Sequence, residues 1–66
     1  MKYYDLKVGD KLIVDGGFSC MTQGNEKEIF DDNGELYVKC TYGKGKHYLY
    51  AQKDVNDNLY GFKIVK

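Results

Sequence analysis

The chain has 66 residues, 42% of them hydrophobic and 30% charged, and its ten Lys balance ten acidic residues to a formal net charge of zero. A chain of this length is a single domain, 1–66, hides only about 60% of its extended surface on folding, and has little volume for a deep catalytic cleft. Zero net charge and the absence of Arg argue against a polybasic protein and against bidentate reading of guanine. Leu6, Val8, Leu12 and Val14 place apolar side chains at even positions. The Gly9-Asp10 break divides them into a lead-in and a strand from Lys11 to Asp15. Asp15-Gly16-Gly17 is a turn, and Phe18-Ser19-Cys20-Met21 is a short apolar segment inside a long connection that ends near Gly24-Asn25. Lys27 to Asp31 forms the next strand, with Ile29 as its surest core residue. Asn33-Gly34 between strand-like runs is the strongest hairpin signal in the chain.

Leu36 to Tyr42 alternates, with Leu36, Val38 and Cys40 on one face and Tyr37, Lys39 and Thr41 on the other. Gly43-Lys44-Gly45-Lys46 makes a tight connection. His47 to Gln52 follows as a strand, with Leu49 and Ala51 inward and Tyr48 and Tyr50 outward. Val55 to Asn58 is a polar turn. Leu59 to Val65 closes the chain as a strand with Tyr60, Phe62 and Ile64 on one face. Seven Tyr and an aromatic fraction of 15% fit this strand-rich reading. The expected fold is all-β: a small five-stranded SH3-like barrel or a curled antiparallel sheet. No apolar run is long enough to span a membrane, and Met1 to Leu6 lacks an apolar signal core, so the expected compartment is the cytoplasm with reduced thiols.

The charges are sorted along the chain. Asn25 to Glu35 carries five acids against Lys27 alone, net −4, whereas Leu36 to Lys53 carries four Lys and no acid, net +4. Opposite charges on neighbouring antiparallel strands attract across the ladder, which accounts for the pattern structurally. The same segment presents a candidate binding face: Tyr37, Tyr42, Tyr48 and Tyr50 among Lys39, Lys44, Lys46 and His47. Tyrosines cover large area with few rotors, which suits a protein interface, and with ammonium groups beside them they also suit a stacked base. Opposite patches on one molecule also permit a homo-oligomer.

Catalytic and metal signatures are missing from the sequence. Cys20 and Cys40 with the single His47 fall short of the four ligands of a structural zinc site. Cys40 falls on the apolar face as a small hydrophobe, and a Cys20–His47 nucleophile–base pair is a minor reading. Asp31 and Asp32 are neighbours on a strand and point to opposite faces, so they make a poor acid–base pair. Gly43-Lys44-Gly45-Lys46 lacks the spacing and the following helix of a phosphate loop. The expectation is no enzyme, no catalytic residue, no metal and no cofactor.

Val8-Gly9-Asp10-Lys11, Asp15-Gly16-Gly17-Phe18-Ser19-Cys20-Met21, Gly34-Glu35-Leu36-Tyr37-Val38-Lys39-Cys40, Gly45-Lys46-His47-Tyr48-Leu49 and Tyr60-Gly61-Phe62 together resemble a group of small proteins encoded by bacteriophages and prophages. The GGF(S/T)CM and GxHYL pieces are the most distinctive, and the Lys-only basic complement departs from members that contain Arg. The resemblance implies a phage setting and carries no chemistry. In that setting the expected role is a non-catalytic accessory protein that binds a host protein or a small ligand, as a counter-defence or host-takeover factor. The alternative is a small barrel that binds nucleic acid weakly.

Overall fold

The computed structural model describes residues 2–43 and 45–65. Six short strands are present: β1 (Lys11–Val14), β2 (Glu26–Glu28), β3 (Phe30–Asp32), β4 (Glu35–Lys39), β5 (Lys46–Tyr48) and β6 (Phe62–Ile64). They form two three-stranded antiparallel sheets, ordered β2-β1-β6 and β3-β4-β5. The sheets do not close into a barrel, which corrects the expected five-stranded closed shell. There is no α-helix among the described residues, only short 3-10 turns at Tyr3–Asp5 and Leu49–Gln52.

The additional strand arises at Ile29. The expected run from Lys27 to Asp31 bends there, so β2 pairs with β1 and β3 with β4. Ile29 itself is held at the corner by its amide, which donates to the Asp10 carbonyl (2.9 Å), and by its carbonyl, which accepts from the Gly9 amide (3.1 Å). Its side chain is fully buried. The Asn33-Gly34 hairpin forms as its sequence requires: φ is +54° at Asn33 and +89° at Gly34, the left-handed pair of a type I′ turn.

Leu6, Leu12, Val14, Met21, Ile29, Val38, Leu49, Leu59 and Phe62 form the core, with Tyr3, Phe18, Cys20 and Leu36 packed against it. Each fully buried aliphatic side chain contributes about 1.5–3 kcal/mol relative to exposure. Three sequence expectations change here. Val8 is exposed, because the lead-in turns at Gly9 before the strand begins. Residues 49–52 wind into a 3-10 turn rather than extending β5, which buries Leu49 and leaves Ala51 exposed. The final strand is only Phe62–Ile64. Before it, Leu59 is buried and Tyr60 exposed, because Gly61 at φ +83° reverses the alternation.

Gly61 is also a packing requirement. The Asp15 and Gly16 amides both donate to its carbonyl, at 2.8 and 3.0 Å, and a Cβ on Gly61 would lie 2.5 Å from Cζ of Phe18. The bare backbone thus lets the Phe18 ring stack on Phe62, with centroids 5.1 Å apart. No helix of the described residues is long and apolar enough to cross a membrane.

Candidate functional site

The β3-β4-β5 sheet has two faces with different chemistry. On its outer face the register aligns Phe30, Tyr37 and Tyr48 directly across the three strands. Ring centroids are 5.7 Å apart for Phe30–Tyr37 and 5.9 Å for Tyr37–Tyr48, and Tyr50 extends the row at 5.6 Å from Tyr48. Two lysines lie across this row: Lys39 Nζ is 4.8 Å from the Phe30 centroid and Lys46 Nζ is 5.0 Å from that of Tyr37. Such contacts contribute about 0.5–1 kcal/mol at exposed positions. Tyr50 keeps 48% of its surface exposed. Beside Tyr37, in the middle of the row, Lys39, Cys40, Gly43, Gly45 and Lys46 join it in lining a cavity of about 190 Å³.

Asp32 ties the outer face together. Tyr48 Oη donates to its Oδ2 at 2.6 Å and Lys46 Nζ reaches the same oxygen at 3.1 Å. The Tyr48 hydroxyl, and then the Lys46 ammonium, hold the Asp32 carboxyl below its ordinary value near 3.8, and the same contacts push Tyr48 and Lys46 upward. A depressed carboxylate stabilises the fold above its unfolded value, and that contribution is lost as pH falls through the folded value. The acid-side loss of stability below about pH 3.8 is therefore expected to shrink in Asp32→Asn, as read by thermal melts across that window. Identical acid profiles for the two proteins would show that Asp32 carries none of it.

The eight residues expected at the binding face separate. Tyr37, Lys39, Lys46, Tyr48 and Tyr50 share the outer surface. Tyr42 instead bonds to Thr22 across the long connection, with 2.6 Å between Oη and Oγ1. Lys44 lies outside the described residues. His47 pairs with the buried Val38 and so turns to the inner face, away from the tyrosine row.

On that inner side a second constellation forms. Cys20 Sγ is 3.5 Å from His47 Nδ1, and ligand atoms of Cys20, Cys40 and His47 all lie within 4.8 Å of one another. The long connection is fastened in place by its backbone: the Cys20 carbonyl accepts from the amides of both Thr41 (2.8 Å) and Tyr42 (3.1 Å). The His47 ring meets Phe18 edge to face, with centroids 5.1 Å apart, and lies 6.1 Å from Phe62. Its Nε2 is buried without a hydrogen-bond partner.

The contact with Cys20, and then burial, push the Cys40 thiol up, while burial pushes the His47 imidazole down, so His47 is neutral near pH 7. Sequence reasoning did not assemble this trio, because its members stand at positions 20, 40 and 47. No local motif joins them; the signals in the sequence are the count of soft ligands and the pairing of Cys20 with His47, which the structure brings to 3.5 Å. Comparison of the chain with protein-family models, with curated proteins and with solved structures finds no match in any of the three.

Proposed function

We propose that this is a non-catalytic binding module that receives a protein partner on the outer face of β3-β4-β5, in the setting of a phage accessory protein acting on its host. The observation that carries the reading is the aromatic row, which crosses all three strands and whose middle member, Tyr37, lines the cavity shared with Lys39 and Lys46. Aromatic side chains and a small recess for an anchoring group are what binding hot spots are built from. With Lys46 already paired with Asp32, the Lys39 ammonium at the recess favours an anchor that carries a carboxylate or presents an aromatic face.

Nucleic acid is the second reading, and the charge arrangement weighs against it. Lys46 is already paired with Asp32, and β3 and β4 bring Asp31, Asp32 and Glu35 to the same sheet. A polyanion would have to compete with those carboxylates. The absence of a catalytic role is supported by the inner cluster itself. The Cys20–His47 contact has no carboxylate among its described members to orient the imidazole, and burial lowers the basicity of His47, which makes it a poorer acceptor of the thiol proton.

The test is capture from bacterial host lysate on the immobilised chain and on Lys39→Glu/Tyr50→Ser, followed by mass spectrometry. A protein held by the native chain as salt rises, and lost by the double variant, is the expected result. Capture that collapses with salt and elutes nucleic acid favours the second reading. Identical capture profiles for the two proteins overturn the assignment of this face.

A further inference from the structure

The inner cluster has a chemistry of its own, although one member, Cys40, also borders the outer cavity. We propose that Cys20 Sγ, Cys40 Sγ and His47 Nδ1 bind a single Zn²⁺ as three protein ligands, leaving the fourth tetrahedral position open to water. Zinc takes thiolate sulfur at about 2.3 Å and imidazole nitrogen at about 2.0–2.1 Å. Tetrahedral angles then place sulfur and nitrogen about 3.5 Å apart and the two sulfurs about 3.8 Å apart. The Cys20 Sγ to His47 Nδ1 separation is 3.5 Å, and the whole trio spans no more than 4.8 Å. Only small side-chain rotations are needed to close the set around an ion.

Three further features support the assignment. First, the donors are soft: two sulfurs and an imidazole select a borderline d¹⁰ ion over Mg²⁺ or Ca²⁺, which prefer oxygen. Second, the framework is fixed before any ion arrives. The two hydrogen bonds that the Thr41 and Tyr42 amides donate to the Cys20 carbonyl hold the long connection against the chain just beyond Cys40, and Phe18 packs on the His47 ring. Third, the charge balances. Each thiol releases its proton to solvent on ligation, and two thiolates cancel the +2 charge, so a half-buried centre carries no uncompensated charge. The apolar walls from Phe18 and Phe62 limit competing water.

The test uses the reduced full-length chain titrated with Co²⁺ and then Zn²⁺. Expected are one equivalent of bound cobalt, a near-ultraviolet thiolate charge-transfer band, the intense visible bands of four-coordinate Co²⁺, and loss of both on adding zinc. Cys20→Ser and Cys40→Ser should each weaken binding by more than about 100-fold, the upper end of what losing an outer-shell partner costs. In the unmodified chain, zinc should slow alkylation of both thiols by at least about tenfold, because a ligated thiolate is a poor nucleophile; this needs no variant to fold. A weak octahedral cobalt spectrum with alkylation unchanged by zinc overturns the proposal. So does a full tetrahedral spectrum that survives both serine substitutions, because the ion would then sit elsewhere.

Discussion

Val38→Asp is expected to leave the chain without a cooperative thermal transition. Val38 is fully buried near the end of β4, in the same core cluster as Ile29 and Leu49, while its neighbours Tyr37 and Lys39 face out. The substitution removes about 1.5–3 kcal/mol of apolar burial and adds a carboxyl with no partner in the core, which costs several kcal/mol more even after it takes up a proton. A domain of this length has a total stability of roughly 3–10 kcal/mol. Circular dichroism on heating reads the outcome. A variant that melts within a few degrees of the native chain would mean that the side chain escapes the core and that β4 has the opposite face inward.

Gly61→Ala is expected to lower the melting temperature by roughly 10–25 °C, corresponding to about 2–4 kcal/mol. Two effects combine. A φ of +83° costs an L-residue about 1 kcal/mol. The new methyl would also meet Phe18 Cζ at 2.5 Å, and overpacking of that kind costs about 1–3 kcal/mol. Gly9 separates the two effects, since it has φ +95° with nothing within 4 Å of its Cβ direction, so Gly9→Ala carries only the backbone cost. Equal losses from Gly9→Ala and Gly61→Ala would show that the contact with Phe18 is relieved at no cost. If the contact matters, Phe18→Leu in the Gly61→Ala background should restore part of the loss, because the two sites share one space.

Much of the β architecture was legible in the residues, and the departures have local causes. The Asn33-Gly34 turn was readable because only a pair tolerant of positive φ closes a two-residue hairpin. Alternation in Leu36, Tyr37, Val38 and Lys39 identified the inward residues of β4 and the aromatic outer face. Period-two reasoning failed where the backbone leaves the extended region. Alternation puts Leu49 and Ala51 on one face, yet a 3-10 turn sends Ala51 to solvent. Tyr60 and Phe62 were likewise grouped until Gly61 reversed the alternation.

His47 shows the limit for the site. Its neighbours Lys46 and Tyr48 both face outward, so alternation alone would have turned it inward. Being polar beside lysines, it was grouped with them. Its meeting with Cys20 depends on how the long connection folds back, held by the Cys20 carbonyl, and no local pattern encodes that path.

The bend at Ile29 has a consequence for how the molecule comes apart. A single uninterrupted stretch of chain supplies an edge strand to each sheet, and its turning point is fastened to Gly9 and Asp10 on the segment leading into β1. Neither sheet can peel away without dragging that corner out of the interior. Both halves are therefore expected to share one melting event, read as coincident transitions from probes placed in each sheet.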